Sequence, residues 1–358
     1  MTQPTWTTAH FAALAAPDAR LPFLPVPLDL SGQSVRQTVR LARGGRALRL
    51  VFSNAYGERP LILEELTVSS AQGERRLGRW EIPSGAVETS AEIGLPVEEG
   101  DDLVVTARVA DGAPAPTYLH SAQRTGSAGD VEFTSLYWLT QVLVDDERPR
   151  TVVVAFGDSI TRGDGTTVDG EARYPDHLRR ALAGTGAVVL NAGLGANRVR
   201  VEGYGVPMVE RFARVLDAVP EATHVTILGG TNDIALPSVY GDEQPAPQDL
   251  AGSLLTLAAQ ARDRGVQPVL GTVPPFGAGE LPVFQEPVSE HLRTTVNKTL
   301  AAQRDYPVID FAAALADPDR PAHLAPAHDS GDGFHPSDAG ARAMAVAAAE
   351  TLAGLGVG

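Results

Sequence analysis

The chain has 358 residues, with 29 Lys and Arg against 44 Asp and Glu, a formal charge of -15, and no cysteine. At about 150 residues per domain this length suits two domains with a sizeable core. The negative charge repels phosphate backbones and anionic bilayers, which excludes nucleic acid and membrane surfaces as partners; the lack of cysteine excludes disulfides, thiolate zinc sites and a cysteine nucleophile.

The opening "MTQPTWTTAHFAALAAPDAR" has neither a basic start nor an apolar stretch long enough for a secretory signal. No run approaches the ~20 apolar residues of a membrane helix. As it stands the sequence predicts a cytoplasmic protein, with secretion left open should a leader precede it. Residues 1–145 alternate apolar and polar positions in short runs broken by Gly, Pro and Asp. "ALRLVFSN" puts Leu48, Leu50 and Phe52 on one face, and "DDLVVTARVA" and "FTSLYWLTQVLV" repeat the pattern, as strands covered on one side do. The expected structure is an all-β sandwich of the jelly-roll sort. Core packing is the expected use of Trp6, Trp80 and Trp138, with sugar stacking the alternative. "DDERPR", Asp145 to Arg150, forms the junction.

Residues 151–358 change to an α/β pattern. The runs "TVVVAF", "AVVLNAG", "HVTILGG", "QPVLGTV" and "PVIDF" are nearly all apolar, as expected of strands buried on both faces of a parallel sheet. Between them, "DLAGSLLTLAAQARDRG" predicts a helix capped by Asp249, with Leu250, Leu254, Leu257 and Ala261 on one face and Gly265 ending it. "PSDAGARAMAVAAAETLAGL" predicts a last helix capped by Ser337. The expectation is a three-layer α/β domain with about five parallel strands and its ligands at their carboxyl ends.

Polar residues fall at those ends. Ser159, in "AFGDSIT", follows the first run and is either a nucleophile or a turn residue; the G-x-S-x-G elbow is absent. In "DGFHPS", Asp332 and His335 are spaced so that an acid can orient a base, or so that an Asp simply caps a loop histidine. Asn232 in "GGTND" can donate over the sheet edge or bond its own turn, with Asp233 as a structural partner. "NAGLGANR" offers backbone N–H groups in a glycine-rich turn. No dinucleotide or P-loop phosphate motif occurs.

Taken in order, these blocks resemble the SGNH, or GDSL-type, serine hydrolase family over roughly residues 151 to 358. The resemblance implies a flavodoxin-like α/β/α fold and a serine esterase with no cofactor and no metal. Ser159 would be the nucleophile, and Asp332 and His335 would complete the triad. The oxyanion hole would be the N–H groups of Ser159 and Ala196 with the Asn232 amide. Aligning Asn191 with the second block places Ala196 where the family carries glycine, with Gly195 as its neighbour. The β domain ahead of the hydrolase domain is similar to two-domain members acting on acylated carbohydrates, which implies short acyl, acetyl-type esters of small molecules or sugars as substrates. Arg162, Arg198, Arg200, Tyr174 and Tyr204 are candidate substrate contacts, and Phe276 a candidate wall of the acyl pocket. Asp158 is expected to brace the nucleophile loop. An acyltransferase with the same triad and a noncatalytic glycan-binding protein are the alternatives; oligomeric state is left open.

Overall fold

The computed structural model describes residues 6–17, 27–112, 116–146 and 151–357. The chain divides into two compact units, Met1–Arg148 and Pro149–Gly358. No helix among the described residues is long and apolar enough to cross a membrane.

The first unit is built from antiparallel strands. A four-stranded sheet runs Trp6–Phe11, Leu139–Asp145, Leu48–Ser53 and Val87–Thr89, in spatial order. A six-stranded sheet runs Val131–Phe133, Gly126–Ala128, Ser34–Arg40, Asp102–Val109, Leu61–Ser70 and Gly73–Ile82. Alternation is clearest in Asp102–Val109, where every second side chain is buried, as a sheet with one covered face requires. Phe52 of the smaller sheet meets Trp80 of the larger edge to face, with ring centroids 5.4 Å apart, so the two sheets share a core. Trp6 lies under the Arg49 guanidinium at 4.2 Å and Trp138 is buried, so all three tryptophans are engaged in packing.

One expected strand is broken. "FTSLYWLTQVLV" separates into Leu136–Tyr137, paired with Tyr118–Leu119, and Leu139–Asp145, paired with Leu48–Ser53. Between them Trp138 takes φ 58°, a left-handed conformation that redirects the chain from one pairing partner to another.

The second unit contains a five-stranded parallel sheet in the order Ala187–Gly193, Thr151–Gly157, His224–Leu228, Gln267–Gly271, Val308–Ile309. Counted along the chain this is second, first, third, fourth, fifth, the flavodoxin-like order, with its switch point between the first and third strands. Register matters here: Gly157 pairs with both Gly193 and Leu228, so three strands end level and their loops emerge together. On one face Val153, Ala155, Val189, Val269 and Ile309 pack with Tyr174, Leu178, Phe311, Met344 and Leu352. Phe156 points the other way and meets Phe212 edge to face at 5.0 Å. The fifth strand is only Val308–Ile309, shorter than its apolar run suggests.

The last helix, Asp338–Ala353, is capped as expected by Ser337, whose Oγ accepts from the Gly340 N–H at 3.3 Å. The helix expected from Asp249 instead spans Pro247–Asp263, with Pro247 in its first turn and Ala246 at the cap. Proline supplies the helical φ without needing the N–H that the first turn leaves unpaired, so the helix starts earlier than a side-chain cap would place it.

Candidate active site

The loop that carries Ser159 is set by a close approach. At the end of the first strand, a Cβ on Gly157 would lie 2.1 Å from Thr161 Oγ1 and 2.8 Å from Leu228 O, so only glycine lets the chain turn there. Asp158 caps the short helix Ser159–Arg162, with Oδ1 accepting the Ile160 N–H at 3.0 Å, and Gly163 ends it at φ 114°. Ser159 therefore opens a helical turn at the carboxyl edge of the sheet.

Its hydroxyl is not engaged in turn formation. Ser159 Oγ lies 2.8 Å from His335 Nε2, and His335 Nδ1 lies 2.6 Å from Asp332 Oδ2. Asp332 Oδ1 accepts the backbone N–H groups of Phe334 at 3.0 Å and His335 at 2.8 Å. Burial works against a charge on Asp332, but the His335 hydrogen bond and charge, with those two N–H groups, hold its carboxyl below the usual range. An ionised carboxylate only accepts, so it keeps the proton on Nδ1 and leaves Nε2 to accept from the serine. The Phe334 ring lies 4.0 Å from the imidazole, centroid to centroid, and packs its face.

Two other loops meet beside this line. Asn232, in the short helix Thr231–Ala235 after the third strand, donates from Nδ2 to Asn197 O at 3.1 Å, which ties it to the turn that carries Gly195 and Ala196. Ala196 has φ 54°, so an alanine occupies the left-handed region favoured by glycine, at about 1–2 kcal/mol of backbone strain. Asn191 braces the same turn: Nδ2 donates to Thr161 O at 2.9 Å, and Oδ1 accepts from the Gly193 N–H at 2.9 Å. Asp233 accepts from the N–H groups of Val199 at 2.8 Å and Arg200 at 3.3 Å. Its burial pushes its pKa up to about 6.

Of the side chains expected to touch substrate, all but Arg200 are buried. Arg198 is buried and its guanidinium is committed to Asp242, at 2.5 Å, and to Glu202 O, at 3.3 Å. Tyr204 is fully buried. Phe276 is also buried, its ring tilted against that of Phe284 with centroids 4.7 Å apart, and Phe284 in turn lies 5.0 Å from Phe334. Tyr174 bonds Thr226 within the core at 3.0 Å, and Arg200 pairs with Asp249 at 3.1 Å. Arg198, Tyr204 and Phe276 lie in loops yet are buried, whereas Arg200 is exposed, so a loop position does not by itself mark a surface position.

Arg211 was not among the residues expected at the site. From the helix Met208–Ala218 its guanidinium donates to Asn197 Oδ1 at 2.7 Å, Ala192 O at 3.0 Å and Gly157 O at 2.7 Å. It thus joins the ends of the first and second strands to the turn that orients Asn232. The signal was a cation within an apolar stripe: Met208, Arg211, Phe212, Val215 and Leu216 are the buried positions of that helix.

Beneath the serine, Asp158 is fully buried, and among the described residues its Oδ2 has no hydrogen-bond partner. Burial pushes its pKa up to about 7. The folded state therefore binds the proton more tightly than the unfolded chain. The stability this contributes is complete below the unfolded value, near pH 4, and is lost as pH rises through 7. Asp158→Asn keeps an oxygen for the cap but cannot ionise. Its advantage over the parent should be near zero at pH 4 and grow to the order of 2–4 kcal/mol at pH 8. Thermal midpoints of both proteins across that range check this; a pH-independent difference would contradict it.

A family model for the GDSL-like lipase/acylhydrolase family matches residues 155–343. A comparison with curated protein sequences finds no match. Among solved structures, the M. smegmatis aryl esterase is 23% identical over 57% of this chain and 99% of its own, with TM-score 0.47. A carbohydrate acetylesterase from Sinorhizobium meliloti is 20% identical over 57% of this chain and 100% of its own, with TM-score 0.45. A GDSL-like lipase from Bacteroides thetaiotaomicron is 17% identical over 59% and 93%, with TM-score 0.44. With more than half of its residues matched by the family model, the chain belongs to the GDSL-like lipase/acylhydrolase family.

Proposed function

We propose that the protein is a serine esterase that hydrolyses short-chain, acetyl-type carboxylic esters, including those of carbohydrates, through an acyl-enzyme. The observation that carries the reading is the continuous line from Ser159 Oγ through His335 to Asp332, at 2.8 and 2.6 Å. His335 Nε2 takes the Ser159 proton as Oγ attacks the ester carbonyl, and Asp332 stabilises the imidazolium that forms. The N–H groups of Ser159 and Ala196 and the Asn232 amide hold the developing oxyanion. The imidazolium returns its proton to the leaving alcohol, and water deacylates the serine with His335 again as base.

The preference for short acyl groups is supported by the row of mutually tilted rings Phe276, Phe284 and Phe334, which places packed side chains beside His335. The residues proposed for the reaction all lie in the second unit, and the β-rich unit is proposed as an accessory domain. A series of esters of one alcohol, from acetyl to long acyl, together with acetylated sugars, tests this. Expected is turnover of the acetyl esters that falls tenfold or more beyond short chains. Absence of turnover on every ester would overturn the esterase reading, and a preference for long chains would overturn the acyl assignment.

A further inference from the structure

We propose that Asp164 selects the alcohol half of the ester, accepting a hydrogen bond from a hydroxyl on the carbon next to the one bearing the ester oxygen. The inference rests on the Ser159–His335 reading above and specifies which alcohols that site takes.

Asp164 follows the nucleophile helix, and its Oδ2 lies 4.0 Å from His335 Nε2. That is too far for a hydrogen bond, so it does not compete with Ser159 for the imidazole. Its partner is Arg162, whose side chain is 2% exposed while that of Asp164 is 22% exposed. Arg162 Nε and Nη2 donate to Asp164 Oδ1 at 2.9 and 2.6 Å, and Nη2 also donates to Oδ2. A Cβ on Gly195 would fall 2.2 Å from Arg162 Nη1. The guanidinium is therefore pressed against the turn before Ala196, and any side chain at Gly195 would displace it. Nη1 itself is buried with no partner among the described residues. The pair is thus built into the floor of the site, with only the carboxylate reaching solvent.

The lone pairs show what this carboxylate can still do. Its two oxygens offer about four acceptor sites. Arg162 occupies two on Oδ1 and one on Oδ2. The remaining site is on Oδ2, the oxygen near His335 Nε2. His335 must hand its proton to the leaving alkoxide, so that oxygen sits within hydrogen-bond reach of Nε2 during turnover. A neighbouring hydroxyl in the gauche rotamer lies about one hydrogen-bond length from it, which brings it to the free site on Oδ2. Because Arg162 already neutralises the carboxylate, the site favours a neutral donor over a cation. The substrate class is therefore the ester of a vicinal diol, as in a polyol or a sugar.

The test compares kcat/KM of the full chain on 2-hydroxyethyl acetate, n-propyl acetate and acetylcholine, which share the acyl group. Expected is a preference of about tenfold to a hundredfold for the hydroxyl ester over the propyl ester, collapsing to near unity in Asp164→Ala and reduced in Asp164→Asn. Wild-type activity without that preference, or a preference for the choline ester, overturns the proposal alone. An unchanged ratio in the variants also overturns it, even if both rates fall together, because that marks a merely structural ion pair. Loss of all activity in both variants assigns Asp164 to the chemistry of every ester and overturns it equally. Wild-type inactivity on all three esters fails the esterase reading itself, and this inference with it.

Discussion

Asp332→Asn is expected to lower kcat by about ten-thousandfold with KM little changed. The reason lies in how Asp332 divides its oxygens. Oδ1 serves two backbone N–H groups, those of Phe334 and His335, while Oδ2 faces His335 Nδ1. An asparagine has one acceptor oxygen, and the two fixed N–H groups claim it. Its Nδ2 is then left opposite His335 Nδ1. Since Nδ2 only donates, Nδ1 must give up its proton and act as the acceptor, which moves the ring proton to Nε2. In that tautomer the imidazole cannot take the proton of Ser159. Steady-state kinetics on an acetyl ester, with a thermal melt to establish that the variant is folded, checks this. A loss below tenfold in a folded variant would show that Asp332 does not set the tautomer.

Arg211→Met is expected to destabilise the second unit strongly. Methionine keeps the buried apolar stem, which packs where the guanidinium carbon now sits 4.0 Å from the Phe156 ring centroid. It makes none of the three hydrogen bonds. Gly157 O retains the Leu194 N–H at 3.0 Å, whereas Ala192 O and Asn197 Oδ1 lose the Arg211 donor. A buried acceptor left unpaired costs about 1–3 kcal/mol, and a charged donor raises the loss. The total should approach 3–5 kcal/mol, or roughly 10 °C in thermal midpoint for a unit of this size. Activity should fall as well, about tenfold in kcat, because the Asn197 carbonyl positions Asn232. Arg211→Lys should recover little of this, since an ammonium cannot reproduce the fork. A midpoint shift under 2 °C in Arg211→Met would refute the assignment.

What could be read in the sequence follows from where each residue sits relative to a strand. Ser159, Asn232 and the Asp332–His335 pair stand in loops bounded by apolar runs or glycines, so their place at the sheet edge is visible as soon as the strands are. Parallel order was legible for the same reason: strands buried on both faces have a composition that half-exposed strands lack. Arg211 was hidden because two of its three partners are backbone carbonyls, which have no sequence signature, and the third, Asn197 Oδ1, lies on a separate turn. Arg198 and Tyr204 were expected as substrate contacts because they lie in loops, yet both are buried, and Arg198 meets Asp242 across an intervening turn that periodicity cannot show. Backbone sign is nearly silent. The left-handed φ of Ala196 showed only through the glycine that the family resemblance places there, and that of Trp138 left no trace, though it broke a strand that alternation had made continuous.

The central claim is that Ser159 is a nucleophile activated by His335. It is tested most directly by treating the protein with a fluorophosphonate, which transfers phosphorus to an activated serine and releases fluoride, and then mapping the modified peptide by mass spectrometry. One adduct per chain is expected, on Ser159, formed in step with loss of esterase activity and absent from Ser159→Ala and His335→Ala. An adduct on a different residue, or full esterase activity in Ser159→Ala, would contradict it.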